Sequence, residues 1–147
     1  MKGEKEKTFK LVSNFSGSKY NLYDGDNLMN TIDFATGICG KFPVRSFNIF
    51  YLGNEITSSG LFKKEGEELD LSVLFEHPEN QGLISKLSNE MPAEDPSGNF
   101  VMNFGRKNIL PAVENAVILD TQGEEQMEMV KTNDGTFEVN YSDLISR

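Results

Sequence analysis

Apolar and polar positions alternate along most of this chain with a period of two, the signature of strands with one face turned inward. KLVSNF (10–15) and KYNLYD (19–24) are two such runs, split by Ser16-Gly17-Ser18, a spacing that predicts a tight hairpin. DGDN (24–27) is a turn, and NTIDFATG and RSFNIFYLG read as further strands separated by the Gly- and Pro-containing loop GICGKFP. The charged turn KKEGEE (63–68) leads into LDLSVLF (69–75), and the loop EHPENQG leads into LISKLSN. A turn region, MPAEDPSGN, precedes FVMNFG (100–105), which reads as the clearest strand of all. AVENAVILD (112–120) and EQMEMVKT (125–132) follow, and NDG (133–135) is a strong hairpin signal into TFEVNYSD. No segment of more than about ten residues carries a convincing 3.6-residue period. Eight or nine short strands of this kind predict an all-β, antiparallel barrel or sandwich in a single domain over residues 1–147, with residues 1–8 a basic, flexible N-terminus.

Composition narrows the compartment and the partners. The apolar fraction is 37%, with 11 Phe, 4 Tyr and no Trp, which suffices for a moderate core in 147 residues. No apolar run reaches the roughly 20 residues that span a bilayer, and no signal peptide is visible. One cysteine, Cys39, excludes an internal disulfide framework and points to a reducing, cytoplasmic setting. The net charge of −9 argues against nucleic acid, which demands clustered Lys and Arg. The charge is uneven: residues 1–19 hold Lys2, Lys5, Lys7, Lys10 and Lys19 against Glu4 and Glu6, a net of +3, which leaves −12 for the remainder. A basic patch on an acidic body can still meet an anionic surface locally, because charges act over a Debye length of about 8 Å at physiological salt.

The same inventory removes most catalytic chemistry. A lone His77 in the loop FEHPEN reads as a surface residue, and a Cys39–His77 dyad has no motif behind it. DGDN lacks the twelve-position spacing and terminal Glu of a calcium loop, and GICG lacks the following helix of a phosphate loop. Asn14-Phe15-Ser16 and Asn140-Tyr141-Ser142 match glycosylation acceptors but need a secretory route that is not evident. The expectation is a non-enzyme without metal or cofactor. What remains is binding. Alternation puts Lys10, Val12 and Asn14 on one strand face, and Lys10, Asn14 and Lys19 can donate to the oxygens of a phosphorylated headgroup, with Lys41 and Arg45 as additions if the fold brings them near.

From KLVSNFSGSKYNLYD onward the chain resembles the C-terminal domain of the tubby family, which has a Lys-Leu-Arg-Ser-Asn strand, a Gly-Thr-Lys turn and a Tyr-Asp strand end at this place. LSNEMP (87–92) is similar to the family's leucine–asparagine–proline segment. FVMNFGRKNILPAVENAVIL (100–119) resembles its most diagnostic stretch, with Phe104 and Asn115 at the family spacing and Gly105-Arg106 one place early. MEMVKTNDGTFEVNYSDL (127–144) resembles its last barrel strands, with Phe137 and Tyr141 in register. The resemblance implies a closed antiparallel barrel around an apolar C-terminal helix, and binding of phosphatidylinositol 4,5-bisphosphate at the inner face of the plasma membrane, in some members with delivery of receptors to cilia. Carried over by position, the headgroup lysine falls on Lys10. The arginine two places on falls on Val12, and a further arginine has no basic counterpart between Asp24 and Gly40.

The resemblance also starts about a third of the way into the family domain, and the chain stops at SDLISR, where the central helix would begin. Three solutions stand open: a fragment of a longer tubby-like protein, a reduced relative with a smaller barrel, or a partner that fills the lumen or pairs with the open edge, a second copy included. The leading expectation is a phosphoinositide-binding adaptor, cytoplasmic and peripheral at the plasma membrane or cilium, acting in membrane-protein or ciliary trafficking. Beside it stand a tubby-like barrel that has lost its lipid and acts as a protein-interaction or structural module, and a carrier of apolar ligands in an unfilled lumen.

Overall fold

The structure is a computed structural model that describes residues 8–39, 42–59, 62, 70–98, 100–102, 109–110 and 114–142. Residues 1–7, Lys41, the charged turn 63–68 and Gly105-Arg106 lie outside the described residues, as does the side chain of Arg45. The chain is mostly antiparallel β. The strands are β1 (Phe9–Ser13), β2 (Lys19–Asp24), β3 (Asn27–Cys39), β4 (Phe42–Leu52), β5 (Ile84–Asn89), β6 (Ala93–Glu94), β7 (Phe100–Val101), β8 (Ala116–Asp120), β9 (Glu125–Asn133) and β10 (Thr136–Tyr141). Two short helices, α1 (Asn54–Ser59) and α2 (Leu71–Leu74), and a 3-10 turn at Pro78–Asn80 sit between β4 and β5. The main sheet runs β1-β2-β3-β4-β5-β8-β9-β10, and β6 pairs β7 in a small second sheet. This order is linear and ends at β1 and β10, so an all-β antiparallel sheet is present, and a closing ladder between its ends is absent from the described pairings.

Two compact units divide the chain: Met1–Phe34 with Asn48–Lys86, and Ala35–Phe47 with Leu87–Arg147. The first unit holds an aromatic and aliphatic core of Tyr23, Leu28, Phe50, Leu52, Phe62, Leu71 and Ile84, with Val12, Leu74 and Phe75 packed against it. Lys86 lies over the rings of Phe50 (5.8 Å) and Phe75 (6.0 Å), so its stem covers apolar surface while the ammonium faces the ring electrons. In the second unit Leu87, Val117, Ile118 and Val130 are buried, together with the polar Gln126 and Glu128.

Several elements depart from the expected pattern, each for a local reason. LDLSVLF is not a strand: residues 71–74 are helical, with Asp70 as N-cap accepting from the Ser72 amide at 2.8 Å. Leu71, Leu74 and Phe75 reach the core at helical spacing, i, i+3 and i+4, while Val73, which alternation would turn inward, is exposed. GICGKFP is largely absorbed into β3 and β4, because pairing between neighbouring long strands overrides glycine and proline content. Of FVMNFG, residues 100–102 are described, and Phe100–Val101 form β7, which pairs locally with β6 across a turn where Asp95 accepts from the Ser97 amide at 2.9 Å; residues 103–105 lie outside the described residues. AVENAVILD begins its strand only at Ala116, because the Asn115 side chain is spent on the backbone. Its Nδ2 donates to the Leu110 carbonyl (2.9 Å), and its Oδ1 accepts from the Lys131 amide (2.7 Å). Asn89, in the stretch LSNEMP, is a similar clamp, accepting from the Phe47 amide at 2.8 Å.

Candidate anion site

The three residues singled out for an anionic headgroup all lie on the β1–β2 hairpin, and the ladder register places them. Lys10 faces Tyr23 and Val12 faces Asn21, and the next step is closed by the Asn14 amide donating to the Lys19 carbonyl at 3.0 Å. Directly opposed residues share a face. Lys10, Val12 and Asn14 therefore lie with Lys19, Asn21 and Tyr23 on the side that carries the first unit's core. Lys10 and Lys19 are two pairs apart along that face, about 13 Å at 3.3 Å per residue over four residues. Val12 sits between them and packs against the core.

Each side chain has a different occupation. Asn14 folds the hairpin: its Oδ1 accepts from the amides of Ser18 (3.0 Å) and Lys19 (3.1 Å), and its Nδ2 donates to Ser18 Oγ (3.0 Å). Gly17, at φ 68°, supplies the left-handed turn position that this closure requires. Lys19 is engaged by an acid 51 residues away in sequence. Its Nζ donates to Asp70 Oδ2 at 2.6 Å and to Ser72 Oγ at 3.0 Å, with both partners of the ion pair under a third exposed. The hydrogen bond to Asp70 raises the Lys19 pKa above its ordinary value against the opposing effect of burial. Burial works against the Asp70 carboxylate, but hydrogen bonds from Lys19 and Ser72 outweigh it and hold its pKa below the usual range. Lys10 is exposed on the outermost strand.

Asp70 is the member of this cluster that the sequence pattern did not reveal as a site residue. Its only local signal is an acid just before an apolar helical turn, which marks an N-cap and says nothing of a lysine on another strand. The same carboxylate holds both ends of that link, so α2 is fastened to the β1–β2 hairpin. Below it, Thr31 Oγ1 donates to Asn21 Oδ1 (2.7 Å) and accepts from the Leu71 amide (3.0 Å), a second tie between the sheet and α2.

Elsewhere His77 is exposed before Pro78 at the start of the 3-10 turn. Among the described residues no three His, Cys, Asp or Glu side chains gather as metal ligands would, and no helix is long and apolar enough to cross a membrane. The hairpin tip presents Phe15 fully to solvent. At the other end of the sheet order, β10 is exposed along its whole length, with Phe137 at 41%, Val139 at 46% and Tyr141 at 61% on one face. No protein-family model matches the chain, and no match is found among curated proteins.

Proposed function

We propose that this chain is a non-enzymatic interaction module, of the tubby-like kind its sequence resembles, that engages a protein partner through an open sheet edge. The observation that carries this reading is β10, a strand whose six residues are all exposed and whose apolar side chains line up on one face. An edge of this kind offers unpaired backbone groups to an added strand and an apolar stripe to its side chains. The hairpin supports the same choice, since Lys19 is neutralised by Asp70 and Asn14 serves the turn. Titration of the labelled chain with extended, β-prone peptides tests it. Binding should slow exchange of the Phe137, Val139 and Tyr141 amides and disappear in Val139→Pro; binding indifferent to that substitution would refute the edge.

A second reading, a phosphoinositide-binding adaptor at the plasma membrane or cilium, is favoured by exposed Lys10 together with the fully exposed Phe15 at the hairpin tip. It expects selective co-sedimentation with vesicles carrying phosphatidylinositol 4,5-bisphosphate over phosphatidylserine at matched charge, lost in Lys10→Ala. Equal binding to both vesicles, or binding that survives the substitution, would remove it.

A further inference from the structure

The backbone of β10 says how an added strand would have to pair. Ser142 N–H donates to the Gln126 carbonyl at 2.8 Å, one step beyond the pairs Asn140–Glu128 and Glu138–Val130. In an antiparallel ladder, residues that exchange hydrogen bonds alternate with residues that do not. Asn140 and Glu138 therefore point their N–H and C=O groups at β9, while Phe137, Val139 and Tyr141 point theirs outward. The same three residues carry the exposed apolar stripe, in register with Lys131, Met129 and Met127 of β9.

We propose that the occupant of this edge is β10 of a second copy of the chain, paired antiparallel about a two-fold axis through Val139. The proposal rests on β10 being the interaction edge and names its partner. Outward groups at 137, 139 and 141 restrict a two-fold pairing of this strand to axes that pass through a residue. An axis between residues would set outward groups against inward ones. Centring on Glu138 places two carboxylates directly opposite each other, which is destabilising. Centring on Val139 removes that clash. Val139 meets Val139, Phe137 meets Tyr141 in both directions, and Glu138 falls opposite Asn140. The three pairs of outward residues each exchange two backbone hydrogen bonds, and the apolar stripe continues across the axis as aromatic and β-branched pairs, a self-complementary surface of the isologous type. The other terminal strand, β1, differs in the feature that blunts edges: it carries Lys10 at its second position, whereas β10 has neither lysine nor proline.

Sedimentation and cross-linking test the proposal on the full chain. Mass should rise with concentration from 16.5 kDa toward twice that value and stop there. Val139→Lys, which sets two ammonium groups opposite each other, should stay monomeric at every concentration where the wild type is paired, with unchanged circular dichroism showing that it folds. In a Cys39→Ser background, Val139→Cys should form a disulfide-linked dimer on mild oxidation. Glu138→Cys should lag, because its copies sit diagonally, beyond the roughly 7 Å Cα separation that a disulfide bridges. Faster linkage of Glu138→Cys overturns the register, and a wild type that remains monomeric overturns the dimer. Amide exchange in the dilute monomer separates that failure from failure of the edge itself. Fast exchange at Phe137, Val139 and Tyr141 leaves the edge open and only the partner wrong, whereas protected amides there remove both.

Discussion

The link between Lys19 and Asp70 supplies the sharpest test of how the first unit is held. The perturbation is a double-mutant cycle of Lys19→Met and Asp70→Asn. The ammonium and carboxylate are 2.6 Å apart and each keeps under a third of its exposure, which places the pair between a surface bridge, worth at most about 1 kcal/mol, and a hydrogen bond to a charged group, worth about 1.5–3 kcal/mol. A coupling energy of about 1 kcal/mol is expected in urea unfolding. Asp70→Asn keeps a side-chain oxygen for the Ser72 amide, so Asp70→Ala should cost about 1 kcal/mol more by removing the α2 cap as well. The pH profile has a sign for each partner. The Asp70 pKa is lowered on folding, so its contribution is present above the ordinary carboxylate range and is lost as the pH falls through the folded-state value. The Lys19 pKa is raised, so its contribution is present below the ordinary lysine value and is lost as the pH rises through the higher folded-state value. Stability from this pair should therefore be flat across neutral pH and fall at both extremes. A coupling energy below about 0.3 kcal/mol, inside the range where independent sites simply add, would refute the assignment of a stabilising link.

Thr31→Val should cost about 1–3 kcal/mol, because it takes the acceptor from the buried Leu71 amide and the donor from Asn21. Thr31→Ser keeps both bonds and gives up one methyl, about 0.5–1.5 kcal/mol, so equal urea midpoints for the two variants would argue against the tie. Asn14→Ala should lose about 1 kcal/mol by removing the acceptor shared by the Ser18 and Lys19 amides, while Asn14→Asp, which retains the oxygens, should stay close to wild type in thermal unfolding.

How much of this was legible in the sequence varies by element. Alternation located β2, β5, β9 and β10 to within a residue or two because each is bounded by a turn, although only β9 buries every second residue and β10 is exposed on both faces. Gly17 and Gly135, both at positive φ, mark two of those turns. Alternation failed at Leu71–Leu74, where Asp70, Leu71, Leu74 and Phe75 satisfy a cap and a helical face in four residues, too short for a period to show. Of FVMNFG, the described Phe100–Val101 are a strand, as alternation expects, paired with Ala93–Glu94. Of the site, the residue types were readable and their occupations were not. Lys10 and Asn14 share one face, as alternation expects, and the hairpin register adds Lys19 to it, yet nothing near Lys19 in sequence announces Asp70. A long-range ion pair is set by topology, and period-two patterns carry no information about which strand meets which helix.

Salt concentration separates the two functional readings with one variable. The chain carries −9, so two copies repel each other, and that repulsion acts through solvent where ions can screen it. The contacts that would join β10 to β10 are backbone hydrogen bonds, apolar pairs and the Glu138–Asn140 approach, in which no two opposed groups are both charged. Raising salt from 0.1 M to 1 M shortens the Debye length from about 10 Å to about 3 Å. It should therefore strengthen self-pairing, shifting the monomer–dimer midpoint to lower protein concentration. Attachment of Lys10 and the basic N-terminal stretch to an anionic vesicle relies on the opposite sign, and the same change in salt should weaken it. Association that grows with salt in sedimentation, with vesicle binding flat or absent, supports the edge. Vesicle binding that is lost with salt, in a chain that stays monomeric throughout, returns the function to the lipid surface.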